Sequence, residues 1–284
     1  MRVLLAGSTG VIGAELRRQL VAAGHEVTGV ARAESADLSV DILDREALLR
    51  AVDGLAFDGI VHQATALRQP GSMHLTNRLR TEGTSALLAV ARETGAKRFV
   101  TASAFYGYGT FDHGDEPLDE SVPFAMTTGS RIDPVQMALA SNEQQVRSFG
   151  GIALRYGLVY GRPAPVIARG WHGSLPLLHP ADAASAAVAA LSRGRRGAAY
   201  NIADEVPASW AELQRALAVA AGSTKPRPVP PRALKLAFPL GGGVAAGTSM
   251  RLTTLAARRG LRWKPRYPSY LAALAAQVDV AAPA

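Results

Sequence analysis

The sequence contains no cysteine. This absence excludes disulfide bonds, thiolate catalysis, and zinc or iron–sulfur sites that use cysteine ligands. Long apolar runs are also missing, because no stretch reaches the roughly 18 uninterrupted apolar residues of a membrane span. The nearest candidate, residues 236–247, is short, rich in glycine and interrupted by Pro239. Hydrophobic residues nevertheless make up 48% of the chain, which is enough for a globular core and excludes wholesale disorder.

Two features could be mistaken for localisation or nucleic-acid signals. An apolar run over residues 3–14 follows Arg2, but a glycine-rich turn interrupts it and Glu15 follows at once, so we expect a cytoplasmic protein rather than a secreted one. The formal net charge of +8 comes from scattered cations, most of them arginines, without a long basic block. The densest zone, residues 251–266, favours a solvated helix face and turn over a nucleic-acid patch. We therefore expect neither nucleic acid nor a membrane as a partner.

Short apolar runs alternate with helical stretches through the first two-thirds of the 284 residues. This alternation predicts a mostly parallel sheet with helices on both faces, a Rossmann-type doubly wound α/β fold. After Gly222 the sequence becomes rich in proline, then in glycine and basic residues. We predict a dinucleotide-binding domain over residues 1–165, to which residues 181–204 return. Residues 166–180 and 205–284 are predicted to form a small C-terminal substrate-binding lobe.

The pattern also predicts the individual elements. The predicted strands cover residues 3–6, 26–30, 59–62, 98–101, 152–155 and 200–202. The predicted helices cover residues 11–23, a stretch from about Leu43 capped by Asp41 or Asp44, and residues 84–93, 143–149 and 181–191. Ser209 is predicted to cap a further helix that ends near Ala220.

A glycine-rich loop, residues 7–13, lies between the first predicted strand and the first predicted helix. Glycine lets the backbone turn tightly and approach a pyrophosphate, which the N–H groups at the helix start then stabilise. Such a string is weak evidence alone, but its position between a strand and an amphipathic helix near the start of the chain is the context that dinucleotide binding requires. The loop therefore predicts a dinucleotide site.

The G-x-x-G-x-x-G form of this loop resembles that of the extended short-chain dehydrogenase/reductases, the NAD-dependent epimerase/dehydratase group. Later segments are similar to the same family: residues 61–66 to its fourth strand, residues 82–84 and 98–103 to its fourth helix and fifth strand, and residues 152–161 to its sixth strand and the following loop. Residues 179–182, 200–202 with Trp210, and 261–268 resemble its C-terminal landmarks. The resemblance covers nearly the whole chain and implies the family's fold and a nicotinamide dinucleotide.

The resemblance also implies which residues contact the cofactor. Asp41 and Ile42 resemble the family's adenine-contacting pair, although Asp41 could equally be only a helix cap. Arg80 stands where the family has an asparagine. The full set of predicted cofactor-binding residues is Gly7, Ser8, Thr9, Gly10, Val11, Ile12, Arg32, Asp41, Ile42, Gln63, Ala64, Thr65, Arg80 and Tyr156.

The end of the second strand decides between the two nicotinamide dinucleotides. NAD enzymes usually place an acidic residue there, hydrogen-bonded to the adenosine ribose. Here Ala31 occupies that position and Arg32 follows. A guanidinium could bind a 2′-phosphate that a carboxylate would repel. We therefore favour NADP(H) over NAD(H), with Glu34 nearby as the opposing feature and a solvated Arg32 as the alternative.

The residues that carry the family's acid–base chemistry are missing. The family pairs a tyrosine with a lysine four residues later on one helix face, so that the phenol can exchange a proton with the substrate. None of the seven tyrosines here has a lysine four positions on. The matching helix places Val135 and Leu139 at these two positions, and neither side chain can ionise.

Other groups near the expected nicotinamide edge could still take part in chemistry. Ser103 follows the fifth strand as the family's serine does, with Ala102 or Ala104 as alternative registers, and its hydroxyl could bond a substrate carbonyl. Tyr106 and Tyr108 lie just beyond it, where each could donate a proton or could simply be packed with its hydroxyl satisfied. We predict these three, Ser103, Tyr106 and Tyr108, as the catalytic residues. The scattered histidines predict no metal site.

Two functional interpretations remain open at this point. The first is an atypical NADP(H)-dependent reductase or dehydrogenase that acts on a small, apolar carbonyl or alcohol, with Trp171, His172 and Phe238 as candidate pocket residues. The second is a non-redox member of the same fold, either a nucleotide-sensing regulator or an isomerase or cyclase with a vestigial cofactor, because both tyrosine and lysine are lost. A homodimer is an expectation by analogy with relatives.

Overall fold

The computed structural model describes residues 1–67, 72–125, 129, 131–161 and 163–281. Its centre is a seven-stranded sheet with the order β11-β6-β5-β4-β1-β2-β3, in which all neighbours run parallel. The strands of this sheet are β1 (Arg2–Ala6), β2 (Glu26–Ala31), β3 (Leu38–Ser39), β4 (Gly59–His62), β5 (Arg98–Ala104), β6 (Ile152–Tyr156) and β11 (Ala199–Ile202).

Three pairs of short strands lie outside the central sheet. They are β7 (Leu158–Val159) with β10 (Leu177–Leu178), β8 (Val166–Ala168) with β13 (Arg227–Val229), and β9 (Ser174–Leu175) with β12 (Ala208–Ser209). The helices are α1 (Val11–Ala22), α2 (Arg45–Ala51), α3 (Met73–Arg78), α4 (Thr84–Glu93), α5 (Asp133–Phe149), α6 (Pro180–Arg193), α7 (Trp210–Ala220), α8 (Pro231–Ala237), α9 (Pro239–Gly247), α10 (Leu255–Gly260) and α11 (Tyr270–Ala281).

The central sheet is buried on both faces. Successive side chains of a strand point to opposite faces, and Leu4 and Leu5 accordingly belong to two different core clusters. One cluster contains Leu5 with Leu16 of α1 and the alanine-rich inner face of α6. The other contains Leu4 with Leu48 of α2 and residues of α4. This two-sided burial confirms the predicted doubly wound α/β fold.

Most predicted elements occur where the sequence places them. β4 and α4 have the predicted bounds, and Ser209 caps α7 through a capping box with Glu212. The helix predicted from Leu43 begins at Arg45, because Asp44 caps it by accepting a hydrogen bond from Ala47 N–H. α5 begins at Asp133, so it contains residues 143–149, predicted as helical, together with Val135 and Leu139, which the sequence places on the same helix.

The C-terminal part adds its own small core to the sheet. Leu213 and Leu217 of α7, Val244 of α9 and Met250 are buried together with Tyr108 and Leu139. Within the proline-rich segment, Arg227–Val229 forms β13, and Pro231 begins α8. The division into two lobes at the predicted boundaries stays a prediction. No helix within the described ranges has the length and apolar character that crossing a membrane requires.

The strand order locates the functional edge of the sheet. After β1 the chain moves outward to β2 and β3, then returns to the other side of β1 to form β4, β5 and β6. Such a reversal opens a crevice at the carboxyl ends of the strands, where open α/β sheets bind their ligands. Here the crevice lies between the loops that follow β1 and β4.

Candidate nucleotide-binding and active site

The loop after β1 is held too tightly for side chains at two of its glycines. Gly7 has a φ of +83°, and a Cβ there would lie 2.7 Å from the backbone of Ala64. A Cβ on Gly13 would lie 2.0 Å from the Gly7 carbonyl oxygen. The loop therefore rests directly on the chain that follows β4. Its next residues start α1, whose first N–H groups have no acceptor within the helix and point at any ligand placed there.

Three buried polar atoms along this edge have no hydrogen-bond partner among the residues the structure describes. They are Ser8 Oγ after β1, Gln63 Oε1 after β4, and Arg80 Nη1 on the segment above β4. Buried polar groups without partners are uncommon and call for an explanation such as a missing ligand. A hydroxyl beside a pyrophosphate loop and an acceptor beside the expected nicotinamide ribose match the groups that a dinucleotide presents. The residues present therefore fit a nicotinamide dinucleotide.

The end of the crevice at which adenosine is expected carries an unpaired cation and a neutralised carboxylate. Arg32 is exposed directly after β2, and in the described part of the chain no carboxylate forms an ion pair with it. The nearby carboxylate of Asp37 instead accepts two hydrogen bonds from Arg17 and one from the Gly29 N–H at 2.6 Å. Arg17 holds the pKa of Asp37 below its usual range. Sequence reasoning missed Asp37 because its pairing with Arg17 requires the folded sheet.

The predicted adenine pair is also well placed by its local structure. Asp41 Oδ1 accepts a hydrogen bond from Leu43 N–H at 2.9 Å, so Asp41 makes a turn while Asp44 caps α2. Ile42 is buried against Gly83, where a Cβ would lie 2.9 Å from Ile42 Cδ1. Thr9, Val11 and Thr65 are exposed, and Gly10, Ile12 and Ala64 are half-buried.

The end of β4 is tied to the end of β6 and to the helix behind it. Gln63 Nε2 donates to the Tyr156 hydroxyl at 3.1 Å, and that hydroxyl donates to the Ala183 carbonyl at 3.2 Å. Burial raises the pKa of Tyr156. Tyr156 thus supports Gln63, and its own hydroxyl is already occupied on both sides.

His62, the last residue of β4, is held as a neutral ring. Its Nε2 lies 3.1 Å from the Leu79 carbonyl, and its Nδ1 lies 3.3 Å from Ala64 N. Only a ring with its proton on Nε2 can donate to the carbonyl and accept from the N–H. Burial lowers the pKa of His62 to about 4. A second proton would sit on Nδ1 and face the Ala64 N–H, so that two donors would oppose each other directly beneath the glycine loop.

We expect acid to destabilise the protein through His62. Because the folded-state pKa is below the unfolded value, the unfolded chain binds a proton between pH 6.5 and 4 that the folded chain refuses, and stability falls as pH falls through this window. The full difference corresponds to roughly 3 kcal/mol. His62→Gln keeps a donor and an acceptor but does not titrate, so urea unfolding should show a flatter stability profile from pH 6.5 to 4. Parallel profiles for parent and variant would contradict this prediction.

The hydroxyls of Ser103 and Tyr108 take part in a buried hydrogen-bond network. Ser103 Oγ donates to Glu143 Oε1 of α5 at 2.6 Å, and Glu143 forms an ion pair with Arg155 of β6, N to O 2.9 Å. Arg155 Nη1 also donates to the Tyr108 hydroxyl at 2.8 Å, which in turn donates to Asn201 Oδ1 at 2.8 Å. Burial raises the pKa of Tyr108. The hydroxyls of Ser103 and Tyr108 thus already have partners within the protein, and the catalytic roles predicted for these two residues stay predictions.

Tyr106 is placed differently from Tyr108, although only Gly107 separates them. It is half-buried on the 3₁₀ segment Phe105–Tyr108 that follows β5, and Arg80 Nη2 donates to its hydroxyl at 2.5 Å. Arg80 itself is 5% exposed and lies on the π-helical segment Leu79–Gly83, between α3 and α4. Val135 and Leu139, which the sequence predicts at the family's tyrosine and lysine positions, lie buried on α5. Sequence reasoning named both Arg80 and Tyr106, but nothing in the sequence indicated that they pair.

The predicted pocket residues of the C-terminal part differ in their burial. Trp171 packs beside the small core of Ala168, Leu234 and Ala246 and donates to the Thr248 carbonyl at 3.2 Å. Phe238 is 63% exposed between α8 and α9, and His172 is exposed. In the same described ranges, no group of three or more histidine or carboxylate side chains could hold a metal ion.

Comparison with known proteins identifies the family. A sequence model of the NAD dependent epimerase/dehydratase family matches residues 3–169, and the chain belongs to this family. The 3-diazoavenalumate denitrifying reductase of a Streptomyces species is 36% identical, with 95% of this chain and 98% of that protein covered. The 2-alkyl-3-oxoalkanoate reductase of Stenotrophomonas maltophilia is 29% identical over 57% of this chain and 52% of its own length.

Solved structures share the fold at lower identity. The UDP-glucose 4-epimerase of Thermotoga maritima, solved with UDP-glucose, superposes with a TM-score of 0.78 at 20% identity and covers 98% of both chains. The UDP-glucose 4-epimerase of Thermus thermophilus, solved with NAD, gives a TM-score of 0.76 at 23% identity and the same coverage. Family membership and the full-length similarity to a reductase together make this chain an oxidoreductase-type enzyme with a nicotinamide cofactor.

Proposed function

We propose that the protein is an NADP(H)-dependent reductase that acts on a small organic substrate at the carboxyl ends of β4 and β5. The observation that carries the proposal is the row of unpaired buried polar atoms along this edge, from Ser8 to Arg80. Ser8 and the glycine loop would hold the pyrophosphate, Arg32 the 2′-phosphate, and Gln63 the nicotinamide half. The bound cofactor would supply hydride. A small-molecule substrate, and a homodimer by analogy with relatives, stay predictions.

A carbonyl or alcohol is the first substrate class. Reduction of a carbonyl requires a proton on its oxygen in addition to hydride, and α5 offers only Val135 and Leu139 where the family has its acid. Tyr106 is the tyrosine near this edge whose hydroxyl proton is free to point away from its partner, because Arg80 donates to its oxygen. Tyr106 therefore serves as the proton donor for this class, and Arg80 stabilises the negative charge left on its oxygen.

A diazo acid that reacts as its diazonium cation is the second substrate class, and the full-length similarity to 3-diazoavenalumate denitrifying reductase favours it. When hydride replaces the N₂ group of a diazonium carbon, the products are a C–H bond and dinitrogen, and the balance requires no proton. The loss of both ionisable side chains from α5 would then carry no penalty. The non-redox interpretation was raised because the tyrosine and lysine are absent. Hydride replacement of N₂ is a redox reaction that needs neither of them, so their absence does not by itself favour the non-redox interpretation.

The two classes can be separated with two probes of similar shape. 4-Formylbenzoate tests carbonyl reduction, and 4-carboxybenzenediazonium tests replacement of N₂ by hydride. Consumption of NADPH is followed by nicotinamide absorbance and dinitrogen by mass spectrometry, with reactions lacking protein subtracted. If neither probe causes NADPH consumption, and no compound in a wider panel of carbonyl and diazo compounds does so, the non-redox alternative is favoured.

Cofactor choice should depend on Arg32. We expect NADPH to bind at least tenfold more tightly than NADH, about 1.4 kcal/mol, and Arg32→Ala to remove most of that difference while leaving NADH binding unchanged. Isothermal titration with both cofactors measures the effect. Arg195→Ala, an exposed arginine between α6 and β11, is the matched control and should keep the parental preference. Equal affinities of the parent protein for both cofactors would contradict the proposal.

A further inference from the structure

We propose that Arg80 and Tyr106 form an oxyanion site, so that the substrate is an organic acid or carries another anionic oxygen. This inference rests on the proposed function, because it assigns the substrate of the same crevice. It also changes the role of Arg80, which the sequence resemblance placed among the cofactor contacts.

Arg80 is a buried cation without a matching anion. Arg80 is 5% exposed, and its Nη1 has no hydrogen-bond partner. In the described ranges no carboxylate forms an ion pair with it. Its nearest acidic neighbour in sequence, Glu82, is occupied by Arg78 at 2.7 Å. A charge withdrawn from water is stable only when it is paired. The missing anion at Arg80 is therefore expected from a ligand.

Arg155 shows what a satisfied guanidinium looks like in this protein. It is similarly buried, yet it forms hydrogen bonds to both carboxylate oxygens of Glu143 and to the Tyr108 hydroxyl. Both arginines thus donate to a tyrosine hydroxyl, but only Arg155 also has a carboxylate. The comparison separates an arginine that serves the fold from one that is left for binding.

The backbone under Arg80 is fixed in place at the end of β4. His62 donates to the carbonyl of Leu79, and Thr84 Oγ1 accepts from Asn142 of α5 while it donates to the carbonyl of Arg80. Single-turn π-helical segments inside helices are rare and occur often at functional sites. The segment Leu79–Gly83 thus holds the guanidinium at one position beside the carboxyl ends of β4 and β5.

The pair of side chains presents complementary donors to an oxyanion. A guanidinium offers N–H groups in a planar fork that matches a carboxylate, and it remains charged at all physiological pH values. Because Arg80 donates to the Tyr106 oxygen, the phenolic proton is directed elsewhere and can bond a second substrate oxygen. Tyr106 packs against the apolar cluster that contains the buried Phe105 and Phe124, so the pair lies at the edge of an apolar core.

Binding of two small probes to the NADPH-loaded protein tests the proposal. Sodium benzoate carries the anionic oxygens, and benzamide is a neutral molecule of nearly the same shape. We expect the parent to bind benzoate at least tenfold more tightly than benzamide, Arg80→Lys to keep part of this preference, and Arg80→Gln to reduce it to less than twofold. Arg78→Gln, which alters an exposed arginine two residues away, is the control and should keep the parental preference.

Separate outcomes distinguish this inference from the proposed function. Equal binding of benzoate and benzamide by the parent would overturn the oxyanion site, and so would a loss of NADPH affinity in Arg80→Gln as large as its loss of benzoate affinity, since the guanidinium would then serve the cofactor. Failure of the parent to bind NADPH would overturn the proposed function itself. Because Arg80 lacks a carboxylate partner, Arg80→Gln should melt no lower than the parent. If Arg80→Gln does not fold, Arg80→Lys and Tyr106→Phe take its place. A preference for benzoate over benzamide that equals the parental preference in both variants would overturn the oxyanion site.

Discussion

Glu143→Gln is expected to lower the free energy of unfolding by about 3–5 kcal/mol. Glu143 and Arg155 each have a side chain that is only 5% exposed, so the variant leaves a charged guanidinium buried without a counter-ion. Typical domains are stable by about 5–15 kcal/mol, so the loss is a large fraction of the total. Urea unfolding measures it as a lower midpoint with an unchanged slope.

Two further variants show whether the loss comes from the unpaired charge. Glu82→Gln removes the carboxylate of an exposed ion pair with Arg78 and should leave the midpoint unchanged within error. Changing both buried partners, Glu143→Leu with Arg155→Met, removes the two charges together and should be less destabilising than Glu143→Gln alone. A double variant less stable than Glu143→Gln would show that the network contributes through its hydrogen bonds instead.

Tyr106→Phe is expected to reduce turnover of a carbonyl substrate by about 10²–10⁴-fold, the usual contribution of an acid–base group. The change removes one oxygen from a half-buried side chain and should leave NADPH affinity intact. With a saturating diazonium probe, by contrast, the rate should stay close to the parental rate, because no proton is consumed and the Tyr106 hydroxyl then contributes only to binding of the probe's carboxylate. The ratio of the two rates therefore reports whether Tyr106 acts as an acid or only as part of the pocket.

Tyr108→Phe is the matched control for this experiment. The Tyr108 hydroxyl lies inside the protein between Arg155 and Asn201. The variant should therefore lower the melting temperature and keep carbonyl turnover close to the parental value. Parental carbonyl turnover in Tyr106→Phe, together with a large loss in Tyr108→Phe, would reverse the assignment of the two tyrosines.

The sequence predicted those parts of the fold that depend on local pattern. The apolar run of β4, the glycine loop and the cap at Ser209 are each defined by neighbouring residues, and the structure confirms all three elements. The direction of a strand side chain is harder to predict, because a shift of one residue reverses its face. Ser103 lies on the face of β5 that also directs Thr101 to Asn142, so its hydroxyl meets α5.

Pairings across the fold could not be predicted at all. Arg80 and Tyr106 are 26 residues apart, and Ser103 and Glu143 are 40 apart. In each case the sequence shows that the side chain is present. Its partner is brought into contact only because a helical segment crosses the end of a strand in the folded protein. Val135 and Leu139 show the reverse case, since their assignment to the family's tyrosine and lysine positions comes from the sequence and stays a prediction.

The close contact of Gly7 with the backbone of Ala64 connects the pyrophosphate loop to the part of the crevice that contains Arg80. Ala64 N–H bonds the ring of His62, that ring bonds the Leu79 carbonyl, and Arg80 is the next residue. A ligand that shifts Arg80 would therefore shift the floor of the pyrophosphate loop. If it does so, thermodynamic linkage requires reciprocity: an acid that strengthens NADPH binding by some factor must itself be held more tightly by that same factor once NADPH is present.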